Sequence, residues 1–245
     1  MKNFWQPIIF VLIGLIHENS ADACANYLET SEILPQLPNN FSCVSDNWES
    51  LKCTWDPVEN CIATNYTLCY IINRKIYPCP ERNINSSQNF CIWNMTTIPM
   101  YRMTIEYYRF IMTVSNRVGN LTKIYNFHHF ANVIPAKPEH LSVINKTSNS
   151  ALLYWSVPFP MEFFPPGLHH KIAYKSQLDP KDTWKVIEIT DHVHQNKKYY
   201  NLTDLKYPNS AYDVRVSIKS ALVKGNNKWS RFSDITFETT PISNY

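Results

Sequence analysis

Apolar and polar residues alternate along several short segments of the chain, with a period of two residues. The alternation is clearest in residues 108–114 and 212–218, where every second residue is apolar. The same pattern places Leu51, Cys53 and Trp55 on one face of an earlier segment. Alternation of this kind is typical of β-strands with one buried face, and no long segment has the period of a helix. The pattern therefore predicts an all-β protein.

The strand-like segments repeat at an interval of about one hundred residues. Cys53-Thr-Trp55-Asp-Pro57 corresponds to Leu153-Tyr-Trp155-Ser-Val-Pro158, each a strand with an inward Trp that ends at a proline. Between the repeats, Pro135 and Pro138 stiffen a short linker. Roughly seven short strands per repeat, with turn residues about every 8–12 positions, are typical of immunoglobulin or fibronectin type III sandwiches.

The predicted architecture is therefore two tandem fibronectin type III-like β-sandwiches joined by a short proline-containing elbow. We expect the first sandwich at residues 37–134 and the second at residues 135–241. Residues 26–36 are assigned to an N-terminal segment and residues 242–245 to a tail. In the second unit, Leu205 and Tyr212 have the spacing of the tyrosine corner of such folds.

The N-terminus predicts an extracellular location. Lys2 precedes the apolar run Ile8–Ile16, which is too short to span a bilayer but is typical of a secretory signal peptide, assigned here to residues 1–25. Cleavage after Ala23 leaves Cys24 as the first residue, and cleavage after Ala25 removes it. The chain also has seven Asn-x-Ser/Thr sequons, which predict N-glycosylation of a secreted protein or of the extracellular part of a receptor. They begin at Asn40, Asn65, Asn85, Asn94, Asn120, Asn145 and Asn201.

Composition and motifs argue against catalysis and against cofactor binding. The chain has only four glycines, all isolated, so it contains no dinucleotide-binding or phosphate-binding glycine loop. It has no G-x-S-x-G nucleophile motif. The histidine pairs at 128–129 and 169–170, and His192 with His194, have no third metal ligand at a useful spacing. With a net charge of +3 and no long basic run, nucleic-acid binding is not expected either.

The cysteines are confined to the first half of the chain. Beyond the signal region they occur at positions 43, 53, 61, 69, 79 and 91, an even set that predicts disulfides in an oxidising compartment. Six cysteines allow fifteen pairings. A turn at Asp46-Asn47 favours a bridge between Cys43 and Cys53, and a bridge between Cys79 and Cys91 would close a polar loop. Cys61 and Cys69 remain, and whether they pair is left open.

Taken together, residues 37–241 resemble the cytokine-binding homology region of type I cytokine receptors. The Cys43–Cys53 and Cys79–Cys91 pairs match the two first-domain bridges of that family, and Cys53-Thr-Trp55-Asp matches its Cys-x-Trp motif. Thr64–Leu68 and Pro135–Val143 are similar to the interleukin-6-type signalling receptors and, among invertebrates, to Domeless-like receptors. The resemblance implies a disulfide-bearing first domain and a second domain without cysteines.

The family's Trp-Ser-x-Trp-Ser motif is degenerate in this chain. The corresponding segment reads Asn226-Asn227-Lys228-Trp229-Ser230, so only its second half is present. In the family, arginines of the penultimate strand stack between the tryptophans as a cation–π ladder. The resemblance therefore implies one rung between Arg215 and Trp229, extended by Arg231 or Lys219.

The resemblance also implies that loops at the elbow bind a four-helix-bundle cytokine. The residues expected to contact it are Met100, Tyr101, Met103, Phe159, Met161, Phe163, Phe164, Lys224 and Asn226. Independently of any relative, the aromatic residues 159–164 lie among prolines that exclude a strand, and exposed aromatic clusters mark interfaces. The alternative is that some of these side chains pack beneath the sandwich as a satellite core.

The expected partners are a secreted helical cytokine and a second receptor chain, in a pathway of the JAK/STAT type. The sequence leaves open whether the protein is a soluble receptor or decoy, an ectodomain fragment, or a secreted subunit of a composite cytokine. A fibronectin type III adhesion or structural protein is the alternative from another functional class. It predicts self-association or matrix binding and no helical partner.

Overall fold

The computed structural model describes residues 33–80, 89–181, 183–190 and 197–242. The predicted signal peptide with Cys24, the sequon at Asn85, and His192 and His194 lie outside these residues. Within the described ranges, no helix has the length and apolar character that crossing a membrane requires.

The first sandwich is formed by seven strands in two facing antiparallel sheets. The strands are β1 (Asn39–Asp46), β2 (Ser50–Asp56), β3 (Asn65–Ile72), β4 (Lys75–Pro78), β5 (Asn89–Asn94), β6 (Tyr107–Ser115) and β7 (Asn120–His128). One sheet has the order β5-β2-β1 and the other β4-β3-β6-β7. A 3₁₀ helix (Phe130–Asn132) and β8 (Val133–Ile134) follow, and β8 extends the first sheet by pairing parallel to β1.

The second sandwich repeats this topology. Its strands are β9 (Glu139–Lys146), β10 (Ala151–Ser156), β11 (Leu168–Ser176), β12 (Lys185–Ile189), β13 (Lys197–Leu202), β14 (Ala211–Ser220) and β15 (Ser233–Glu238). The sheets have the orders β13-β10-β9 and β12-β11-β14-β15, which correspond strand for strand to those of the first unit. The structure thus confirms the predicted all-β fold of two tandem fibronectin type III-like sandwiches.

Each sandwich has its own core, formed by the inward residues of its alternating strands. Trp55 and Trp93 are buried in the first core and Trp155 in the second. In the second unit the hydroxyl oxygen of Tyr212 accepts a hydrogen bond from the backbone N–H of Tyr207 at 2.8 Å, beside the buried Leu205. The predicted tyrosine corner is therefore present, and it fixes the connection between β13 and β14.

The disulfides staple only the first sandwich. Cys43–Cys53 joins the neighbouring strands β1 and β2, and Cys79–Cys91 joins the segment after β4 to β5, so both of these predictions are confirmed. Cys61 and Cys69, whose pairing the sequence left open, do not pair with each other, because Cys61 is disulfide-bonded whereas Cys69 has a free thiol. Tyr66, Leu68 and Tyr70 are the inward residues of β3, so Cys69 lies on its outer face.

Candidate functional site

A third apolar cluster connects the two sandwiches at the elbow. It combines side chains of the β1–β2 hairpin, of the linker and of the second sandwich. Its buried members are Trp48, Phe130, Val133, Val157, Met161, Phe164, Leu168 and Ile218. Trp48 meets the rings of Phe164 and Phe130 edge-on, at centroid distances of 5.3 and 6.2 Å. The elbow is thus a packed interface rather than a loose linker.

The tip of the β1–β2 hairpin holds this interface together with hydrogen bonds. Asn47 and Trp48 are the two central residues of a turn closed by a hydrogen bond from the Glu49 N–H to the Asp46 carbonyl, and both have left-handed backbone, with φ angles of 48° and 57°. The Asn47 side-chain amide donates to the Phe159 carbonyl at 2.8 Å, and its oxygen accepts from the Ala136 N–H at 3.0 Å. Trp48 Nε1 donates to the Met103 carbonyl at 2.7 Å. The sequence indicated only a turn here, and it did not reveal the role of these two side chains.

The aromatic loop of the second sandwich divides into a buried and an exposed side. Residues Met161–Phe163 form a 3₁₀ helix, in which residues three apart face the same direction. Met161 and Phe164 accordingly point inward and are fully buried, whereas Phe159 and Phe163 are 68% and 65% exposed. The two exposed rings are neighbours, with centroids 6.3 Å apart. The prediction that Met161 and Phe164 contact a partner is therefore wrong.

The first-sandwich loop that follows β5 shows the same division. Met100 is exposed, Met103 is half-buried against two apolar clusters, and Tyr101 is buried. The predicted contact through Tyr101 is therefore wrong, because its ring faces the interior. Ile98, which the sequence reasoning did not single out, is the most exposed large apolar residue in this loop.

The loop between β14 and β15 carries the third set of predicted contacts. Lys224 and Asn226 are exposed. Lys219 Nζ donates to the Gly225 carbonyl at 2.6 Å. Lys228 Nζ donates to the Ala131 carbonyl at 3.2 Å and to the Asn132 side chain. Burial lowers the pKa of Lys228. The loop is thereby tied to its own sheet and to the linker.

A ladder of cations and aromatic rings covers the outer face of β11 and β14 in a different arrangement from the one predicted. Trp229 lies between Lys171 and Lys219, whose Nζ atoms are 4.0 and 4.6 Å from the ring centroid. Arg215 does not form the predicted rung with Trp229; its guanidinium lies 3.9 Å from the centroid of Trp184 and 4.5 Å from that of Phe232.

The ladder persists without the first tryptophan of the motif because neighbouring segments of the second sandwich supply other partners. Trp184 from the segment before β12 and Phe232 from the segment before β15 take up Arg215, and Lys171 from β11 joins Lys219 at Trp229. Of the two residues expected to extend the ladder, Arg231 and Lys219, it is Lys219 that contacts the Trp229 ring. Lys171 and Lys175 are four residues apart in β11 and therefore lie on the same face of the strand, opposite to the buried Ile172. This spacing could have indicated from the sequence that both point outward.

A buried hydrogen-bond chain underlies the elbow. Tyr101 donates to His129 Nε2 at 2.6 Å and lies 2.9 Å from the Ser45 hydroxyl. His129 Nδ1 lies 2.5 Å from the Ile105 carbonyl, which can only accept, so the proton of the neutral ring is on Nδ1. Burial lowers the pKa of His129 to about 4, although the Ile105 hydrogen bond acts in the opposite direction.

His129 predicts a loss of stability at acid pH. In the unfolded chain the imidazole takes up a proton near pH 6.5, whereas in the folded state it stays neutral down to about pH 4. Between these values the unfolded state binds more protons, so the free energy of unfolding falls as the pH falls, by up to about 3 kcal/mol. His129→Gln keeps a hydrogen-bond donor and an acceptor but does not titrate. We therefore expect its free energy of unfolding, measured by denaturant titration, to change less between pH 7 and pH 4 than that of the wild type. The control is His128→Gln, and equal slopes for wild type and His129→Gln would contradict the prediction.

Comparisons with known proteins agree with this architecture. Residues 40–133 match the family model described as "Interleukin-6 receptor alpha chain, binding". The chain is 24% identical over 210 residues to the "Cytokine receptor" of Drosophila melanogaster, covering 84% of this chain and 16% of that protein. It is 29% identical over 213 residues to "Interleukin-6 receptor subunit beta" of Rattus norvegicus, covering 84% of this chain and 21% of that protein.

A shorter relative aligns over a larger part of its own length. "Cytokine receptor-like factor 1" of Homo sapiens is 26% identical over 218 residues, which cover 85% of this chain and 49% of that protein. The chain thus spans 16–21% of the receptors described above and about half of the receptor-like factor. The family model matches the disulfide-bearing first sandwich, and the alignments with these relatives cover 84–85% of the chain. Over most of its length the chain is therefore similar to the binding region of cytokine receptors.

Proposed function

We propose that this protein is an extracellular, non-enzymatic binding module that recognises a four-helix-bundle cytokine at its elbow. The observation that carries the proposal is the pair Phe159 and Phe163, two exposed neighbouring rings on a loop whose other side is buried. Exposed aromatic residues on a firmly held backbone are typical of the few residues that dominate binding energy at protein interfaces.

The proposed contact surface combines these rings with exposed residues from two further loops. Met100 and Ile98 contribute apolar area from the first sandwich, and Lys224 and Asn226 contribute polar groups from the loop between β14 and β15. An apolar centre with a polar periphery is the usual organisation of such an interface. Met103, which is half-buried, is assigned to the support of this surface.

The hydrogen bonds of Asn47 and Lys228 support the proposal because they hold the loops in place before a partner arrives. Asn47 contacts the carbonyl of Phe159 itself, and Lys228 joins the β14–β15 loop to the linker. Preorganised loops bind with a smaller loss of conformational entropy. We further propose that a second receptor chain takes part, in signalling of the JAK/STAT type, since the relatives include receptor subunits.

The test measures binding of the full chain to a panel of secreted helical cytokines from the same organism by biolayer interferometry. Phe159→Ala and Phe163→Ala should each weaken binding by about 30-fold or more, which corresponds to about 2 kcal/mol for an interface residue of this kind. Leu178→Ala is the matched control, because Leu178 is 63% exposed but follows the end of β11 remote from the elbow.

Two outcomes would overturn the proposal. Binding that is unchanged in both phenylalanine variants would remove the elbow as the contact surface. Recovery of only matrix components or of the protein itself, with no helical cytokine, would favour an adhesion protein instead.

A further inference from the structure

Two predicted glycosylation sites lie in one row across the outer face of the second sandwich. Leu152 in β10 pairs with Asn201 in β13 on one side and with Asn145 in β9 on the other. Directly paired residues of an antiparallel sheet point to the same face, and two strand spacings separate the asparagines by about 10 Å. Both asparagines are exposed.

The next row of the same face is aromatic. Tyr154 pairs with Tyr199, and their rings lie 5.2 Å apart. Tyr199 is 53% exposed and lies two residues before Asn201 on the same strand, so its ring is on the face to which the Asn201 glycan would be attached. Ile144, beside a register irregularity of β9, adds another exposed apolar side chain. Leu152, Tyr154, Tyr199 and Ile144 are called the tyrosine patch below.

We propose that N-linked oligosaccharides on Asn145 and Asn201 cover the tyrosine patch and close this sheet face to protein partners. The C–H bonds of a pyranose ring pack favourably on the electron-rich face of an aromatic ring, so the first sugars on Asn201 are the natural cover for Tyr199. Without them, an apolar patch on a β-sheet face is an association surface. The proposal rests on the proposed extracellular location.

The first sandwich offers an internal control with the same geometry but different chemistry. Asn65 in β3 and Asn120 in β7 flank Ser115 in one row, as Asn145 and Asn201 flank Leu152. The adjacent row consists of threonines instead of tyrosines: Thr67, Thr113 and Thr122. Loss of glycans from this row should uncover threonines instead of aromatic rings, since the apolar side chains of this face, Ile111 and Ile124, lie one row further away.

The experiment uses the full chain secreted from eukaryotic cells. Glycopeptide mass spectrometry reads the occupancy of each site without any cytokine, so failure here is distinguishable from failure of the proposed function. The variant Asn145→Gln/Asn201→Gln should bind more of the apolar dye ANS than wild type and elute partly above monomer mass in light-scattering chromatography. The control Asn65→Gln/Asn120→Gln should match wild type in both assays.

Two further measurements separate exposure of the patch from misfolding. Adding Tyr199→Ser to the variant without the two glycans should return dye binding and mass toward wild-type values. Enzymatic trimming of the folded wild-type protein should reproduce the effect of the substitutions. Three outcomes would each overturn the proposal. Asn145 and Asn201 could prove unoccupied, the two double variants could behave alike, or Tyr199→Ser could fail to reverse the change.

Discussion

Phe164→Ala is expected to destabilise the protein by about 3–5 kcal/mol, the usual cost of truncating a buried phenylalanine. Phe164 is fully buried and meets the rings of Trp48 and Phe130, each at a centroid distance of 5.3 Å. The variant therefore opens a cavity where the two sandwiches and the linker meet. For a chain of this size the thermal midpoint should fall by roughly 6–20 °C, measured by differential scanning calorimetry.

The adjacent residue is the matched control. Phe163 is largely exposed, so Phe163→Ala should change stability by less than about 0.5 kcal/mol. Trp48→Ala removes the ring on the opposite side of the contact, and its effect should be less than additive with that of Phe164→Ala because the two variants lose the same interaction. Equal midpoints for the Phe163 and Phe164 variants would contradict the packing of the elbow.

The two phenylalanines also separate stability from binding. Phe163→Ala is expected to weaken cytokine binding with little change in folding, whereas Phe164→Ala is expected to alter folding through the elbow. Its effect on binding should follow from displacement of the loop backbone, which the Asn47 amide holds at the carbonyl of Phe159. A loop fixed from beneath can present its exposed rings in one arrangement, which favours tight recognition.

The strands were predictable because the alternation of apolar and polar residues shows which side chains of each strand face the core. The inward direction of Trp55, Trp155 and Tyr212 follows from alternation alone, and all three are buried. The outward direction of Cys69 follows in the same way from the inward Tyr66, Leu68 and Tyr70. Cysteine spacing by itself cannot express the direction of a side chain.

The division of the aromatic loop was not predictable, because it depends on contacts with distant residues. Phe163 and Phe164 are neighbours with the same side chain, and only the 3₁₀ turn beneath Trp48 decides which of them is buried. The same holds for Arg215, whose aromatic partners come from segments before β12 and β15. Such contacts depend on how segments that are far apart in the sequence are aligned in the fold. A local pattern of apolar and polar residues does not reveal that alignment.

Cys53→Ser is expected to cost about 2–5 kcal/mol, the usual range for loss of a native disulfide in a small secreted domain. Cys53 is fully buried, and its bridge to Cys43 joins β1 and β2 directly below the hairpin that carries Asn47 and Trp48. Loss of the bridge should therefore loosen the elbow as well as the first sandwich. The amount of secreted protein and its thermal midpoint measure the effect, and we expect secretion to be strongly reduced.

The control for this prediction is provided by the same domain. Cys69→Ser alters a free, half-buried thiol on the outer face of β3 and should stay within about 1 kcal/mol of wild type. The variant Cys43→Ala/Cys53→Ala distinguishes loss of the bridge from reactions of an unpaired Cys43, and it should remain as destabilised as Cys53→Ser. Secretion of both bridge variants at the level of Cys69→Ser would contradict the prediction. It would mean that the aromatic core, and not the Cys43–Cys53 disulfide, stabilises the first sandwich.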